Sequence, residues 1–139
     1  MDPGDSIAIQ AVINLYGFLI DEQRWDELGA VFTDDAVLEV ASRDWVMRGV
    51  VAIADGYSSA RHPLGHHMTN TVIADGPSPD QATAITKYLT VRADGSAGTG
   101  RYEDRFVRTA DGWRIAARVA VHRGELPPGG GPNAGAPRP

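Results

Sequence analysis

The sequence predicts an α+β domain in which three N-terminal helices precede a bent, mostly antiparallel sheet. Two patterns carry that prediction. Apolar residues recur at helical spacing across residues 7–32 and 50–60, and β-branched and aromatic residues alternate across residues 66–122. Turn formers divide the second region at Asp75-Gly76-Pro77, Asp94-Gly95 and Asp111-Gly112. Helices first, followed by consecutive antiparallel strands, belong to the α+β class.

The elements follow in order. Residues 1–5 read as a lead-in, with Asp5 or Ser6 as N-cap. Ile9, Val12, Ile13, Tyr16 and Ile20 form one face of the first helix. Trp25, Leu28, Val31 and Phe32 mark a shorter second helix, stopped by Asp34-Asp35. Ala36–Val40 and Trp45–Met47 are expected as strands. Val50–Ala60 is a third helix, weakened by Gly56 and ended before Pro63. His66–Ala74, Ala82–Arg92, Thr99–Thr109 and Trp113–His122 complete the sheet, which can wrap around the helices and leave a space between the layers. Residues 125–139 are almost all Pro, Gly, Ala and Asn. Such a segment buries too little apolar surface to offset its ordering entropy, so residues 1–124 are expected to fold and the tail to be disordered.

Composition narrows the function classes. A chain of 139 residues fits one domain, and 42% hydrophobic with 22% charged residues is ordinary for a globular protein. The net charge of -5, with no basic stripe, argues against a nucleic-acid partner. No cysteine is present, which removes disulfides, thiolate metal sites and a Cys nucleophile together. The first residues lack the basic and apolar regions of a signal peptide, and no apolar run reaches bilayer length, so a cytoplasmic protein without a membrane partner is expected. Phosphate loops, nucleophile elbows, zinc-protease motifs and dinucleotide fingerprints are missing, so neither metal nor cofactor is expected.

Several polar residues are placed where chemistry is possible. On a regular strand His66, Met68, Asn70 and Val72 share one face, and His67, Thr69 and Thr71 the other. One histidine then points into the concavity, although a strand start with polar partners accounts equally for the pair. Asp21, at the flank of the first helix, reads as a cap for the second helix unless it meets an imidazole. In that event its carboxylate would fix the ring tautomer and leave the other nitrogen as a base. Arg118 is either an inward group holding a substrate oxygen or a solvated residue, and a bulge would reverse the parity. Tyr102 shares a face with Asp104, Phe106 and Arg108 and is either a pocket donor or a packed ring. Trp45 and Met47 are candidates for apolar lining.

Four stretches together resemble the SnoaL-like branch of the nuclear-transport-factor-2-like superfamily. They are Asp21 with Trp25-Asp26-Glu27-Leu28 and Val31-Phe32-Thr33-Asp34-Asp35-Ala36; His66-His67-Met68-Thr69-Asn70; Tyr102-Glu103-Asp104-Arg105-Phe106; and Asp111-Gly112-Trp113-Arg114-Ile115. The likeness spans residues 6–123 and lies nearest scytalone dehydratase, lindane dehydrochlorinase and bile-acid 7α-dehydratase. It implies a cone-shaped α+β barrel around an apolar pocket. By motif position it also implies a catalytic Asp21–His66 pair, with Tyr16 beside the Asp and Arg118 as a further pocket residue. The polar residues of this family vary with activity, and related folds include cyclases, an isomerase and largely non-catalytic dioxygenase β subunits.

The expectation is therefore a cofactor-free, dehydratase-like lyase acting on a small hydrophobic ring-bearing molecule. His66 would be the base, Asp21 its orienting acid, and Tyr16, Asn70, Tyr102, Arg118 and Trp45 the substrate-binding set. An isomerase or cyclase would begin with the same proton abstraction. A binding or assembly protein would instead show Asp21 and His66 too far apart to bond, or a pocket filled by its own side chains. The outer sheet face leads us to expect a homodimer or homotrimer.

Overall fold

The computed structural model describes Met1–Arg123, so the expected tail from residue 125 lies outside the described residues. Helix α1 spans Pro3–Asp21 and starts earlier than its apolar pattern indicates. Asp2 is the N-cap, accepting the Gly4 N–H at 2.9 Å, and Pro3 sits at a position where its missing donor is harmless. Asp5 is therefore no cap. Its carboxylate instead accepts from Arg108 at 2.7 and 2.8 Å and from the Trp113 indole at 2.9 Å, tying the first turn to the far end of the sheet.

The second helix is a six-residue 3-10 turn, Trp25–Ala30, held by the Arg24–Glu27 ion pair. Val31 and Phe32 do not continue it. Phe32 opens strand β1, Phe32–Val40, and is buried there. A second 3-10 turn, Ala41–Arg43, ends at Asp44 in the left-handed region and leads to β2, Trp45–Arg48. Helix α2 covers Val50–Ser58. Gly56, which the helical pattern marks as a weakness, has a packing reason: a Cβ there would lie 2.6 Å from Met47 Sδ and 2.8 Å from the Trp45 ring. Strands β3 (Gly65–Asp75), β4 (Gln81–Val91), β5 (Ala97–Thr109) and β6 (Gly112–His122) follow.

The six strands form one sheet in the order β2-β1-β6-β5-β4-β3. Every pairing is antiparallel except β1 with β6. The sheet curls so that α1 crosses its concave face, with Ile9, Ile13, Tyr16 and Ile20 buried in one core cluster with Leu38, Ala84, Phe106 and Ile115. On β4 the residues Ala82, Ala84, Thr86, Tyr88 and Thr90 are buried while their neighbours face out, a clean period of two.

Two irregularities break that period. In β3 the register shifts between Met68 and Thr71, where Thr69 and Asn70 oppose only Lys87. Thr71 and Ile73 consequently turn inward while Val72 is 70% exposed, so the expected shared face of His66, Met68, Asn70 and Val72 ends at Met68. In β6 the register shifts at Ala116, so Trp113 and Ile115 lie on the same buried side as Arg118 and Ala120.

Candidate active site

Asp21 is the last residue of α1, and His66 is the second residue of β3. Gly17, one helical turn before Asp21, lets the two elements approach closely: a Cβ there would sit 3.2 Å from the His66 carbonyl oxygen and 3.3 Å from Met68 Cε. The Asp21 carboxylate then reaches His66 twice. One oxygen is 2.6 Å from the ring Nδ1, and the other accepts the His66 backbone N–H at 2.8 Å. A carboxylate acceptor at Nδ1 places the proton on that nitrogen and leaves Nε2 with a free lone pair. Burial pulls the His66 pKa below its ordinary value, and the opposing pull of Asp21 does not restore it. The imidazole is thus neutral near pH 7, with its side chain 8% exposed against 20% for Asp21.

His66 lines a cavity of about 570 Å³ between the layers, a size suited to a small organic molecule. Tyr16, Val40, Trp45, Tyr57, Ala60, Pro63, Tyr102 and Ala120 supply much of its wall. The Tyr16 and Tyr57 hydroxyls lie 2.8 Å apart, so one donates to the other and the second hydroxyl hydrogen is available to a third acceptor. Burial, reinforced by Tyr16, pushes the Tyr57 phenol well above its usual range and keeps it protonated.

Of the expected substrate-binding residues, Tyr16, Tyr102 and Trp45 line the cavity. Asn70 does not; the β3 bulge leaves it exposed. Arg118 points inward but lies behind the wall. Its guanidinium is sandwiched 4.1 Å from the Tyr16 ring and 4.0 Å from the Tyr102 ring, and it donates two 2.7 Å bonds to Asp104. Both side chains are fully buried. Burial alone would lower the Arg118 pKa, but Asp104, Tyr16 and Tyr102 outweigh it and hold the group charged. Met47 packs beneath α2 and lies outside the cavity lining.

The sequence does not single out three other aromatic or imidazole side chains of the lining. Tyr57 lies on α2, where its ring reads as ordinary core. His62 follows α2 and its Nε2 donates to the Tyr57 carbonyl at 2.7 Å. His122 closes β6, with Nδ1 2.5 Å from the Tyr88 hydroxyl. Their single usable signal is parity with Arg118, which applies to His122 alone. Among the described residues no three His, Cys, Asp or Glu side chains converge as a metal-binding group.

The SnoaL-like domain family matches residues 5–119, from the first turn of α1 into β6. This chain belongs to the SnoaL-like family. Its architecture is the cystatin-like fold of nuclear-transport-factor-2-like proteins. An uncharacterized protein of Mycobacterium tuberculosis is 29% identical over 137 residues, with 83% of each chain covered. Among solved structures, a Novosphingobium aromaticivorans protein provisionally named an aromatic ring hydroxylase is 26% identical, with a TM-score of 0.74 over 92% of this chain and 93% of that one. Another from the same organism, provisionally named a scytalone dehydratase, is 23% identical, with a TM-score of 0.69 over 85% and 83%. No helix among the described residues of this SnoaL-like chain is long and apolar enough to cross a membrane.

Proposed function

We propose that this SnoaL-like protein is a cofactor-independent lyase of dehydratase type, acting on a small cyclic carbonyl compound. The observation that carries the proposal is the 2.6 Å Asp21–His66 bond with the ring at the cavity wall. A binding or assembly protein has no need of a buried, tautomer-fixed imidazole beside an open cavity.

The reaction runs as a β-elimination. His66 Nε2 takes a proton from the carbon next to the carbonyl, and the C–H electron pair becomes an enolate. The hydroxyl hydrogen left over by the Tyr16–Tyr57 pair donates to the developing oxyanion. Collapse of the enolate breaks the β-carbon–oxygen bond. The imidazolium, stabilised by Asp21, returns the proton to the departing hydroxide, so water leaves and the base is regenerated. The neighbour provisionally named a scytalone dehydratase is consistent with this chemistry.

The test is mass spectrometry in D2O on a panel of β-hydroxy cyclic ketones. Elimination removes the mass of water, whereas isomerisation leaves the mass unchanged apart from deuterium gained. His66→Ala and Asp21→Asn should each lower the rate by about 10²–10⁴-fold, the usual range for losing general acid–base assistance. Folded variants with wild-type turnover would overturn the mechanism.

The proposal extends to assembly as a homodimer or homotrimer. Val72, Ile85 and Leu89 project from the outer sheet face at 70%, 51% and 40% exposure, and an oligomer would cover them. Light scattering should give a multiple of the chain mass that Ile85→Glu reduces. A wild-type protein that is monomeric at every concentration would contradict the extension.

A further inference from the structure

The cavity mouth has a charge balance opposite to that of the whole protein. Arg43 from the turn after β1, Arg61 from the segment after α2 and Arg92 at the end of β4 all line the cavity. These three segments are remote in sequence, yet all three arginines border one cavity and are exposed, which places them at its open side. Among the described residues the sole carboxylate in the same lining is Asp94. Asp94 is already engaged, accepting the Ser96 N–H at 2.9 Å within the β4–β5 hairpin. Arg92 braces that hairpin through the Ala97 carbonyl at 3.0 Å. Among the described residues, three cations against one anion give this lining a surplus of two positive charges in a chain whose net charge is -5. The deeper wall is aromatic and apolar, with Tyr16, Trp45, Tyr57 and Tyr102 around the His66 ring.

From this arrangement we infer that the substrate is an amphipathic anion. Its apolar ring enters toward His66, and a carboxylate or phosphate remains at the mouth with Arg43, Arg61 and Arg92. Guanidinium groups suit both anions because they offer paired donors matched to two oxygens. A rim of one sign above low-dielectric walls also concentrates the matching ion at the entrance. A neutral ring compound would gain nothing from this rim. The inference adds a substrate class to the acid–base proposal and rests on this cavity being the reaction site.

Titration calorimetry of the full chain at low salt tests it with three probes sharing one ring system: 2-naphthoate, 2-naphthyl phosphate and neutral 2-naphthamide. At least one anion should bind about tenfold more tightly than the amide, a difference of about 1.4 kcal/mol. The Arg43→Gln/Arg61→Gln double variant should lose that preference while keeping its affinity for the amide, and added salt should weaken the anion alone. Preference for both anions marks a general oxyanion site, and preference for the phosphate alone marks a phosphorylated substrate. Equal binding of anion and amide, a preference that survives in the double variant, or no binding of any probe overturns the inference. The readout is binding, so it separates from the mechanism. Unchanged turnover in His66→Ala beside an intact charge preference would sink the acid–base proposal and leave this one standing.

Discussion

Arg118 shows how a residue can matter to a site it does not touch. Its charge is enclosed by Asp104, Tyr16 and Tyr102, so its removal strands a carboxylate in the core. Arg118→Met should therefore destabilise the fold by about 3–5 kcal/mol in denaturant unfolding, because the partner stays buried and unpaired. Adding Asp104→Leu should recover most of that loss, since an apolar pair of similar volume removes both desolvation penalties. If the double variant were no more stable than the single one, the ion pair would not be the source of the effect. His66 behaves differently. Its folded pKa is depressed chiefly by burial, so the unfolded chain takes up the proton first as pH falls below about 6.5. This residue thus contributes stability above that pH and withdraws it on acidification toward the lower folded value. Parity alone leaves Arg118 as either an inward or a solvated residue, and nothing in its own strand names Asp104 as partner.

At the level of elements, the approach of α1 to β3 decides whether a dyad exists. Gly17 sits against the His66 carbonyl, and Asp21 follows one turn later on the same helix. Gly17→Val should push the helix outward and lower kcat/KM by about tenfold to 10²-fold, the scale expected for displacement of a reacting group by up to 1 Å. Helical circular dichroism should persist, and unchanged kcat/KM in a folded variant would contradict this role. The same elements show what the sequence can and cannot reveal. Order and strand parity were readable, because half-buried strands alternate and turns carry Gly, Asp and Pro. The bulges at Thr69-Asn70 and Ala116 were not, since no composition signal distinguishes an extra residue from a regular one. The first bulge removed Asn70 from the cavity face, and the second placed Trp113, Ile115 and Arg118 on one side. Asp5 misled for another reason: its partners Arg108 and Trp113 are more than a hundred positions away.

For the molecule as a whole, two layers enclose a cavity with an apolar depth and a cationic rim, and a carboxylate–imidazole pair is set into its wall. Family resemblance points to Asp21 and His66, whereas spacing alone allows a helix cap and a strand-start histidine. What spacing could not supply was the long-range approach that makes the pair a unit. The most direct measurement of that unit is nitrogen-15 NMR of the His66 ring through a pH titration, compared with Asp21→Asn. The account predicts a proton on Nδ1 of the neutral ring, a midpoint below the ordinary histidine value, and loss of the fixed tautomer in the variant. A proton resting on Nε2, or a ring that ionises at or above the ordinary value, would contradict it.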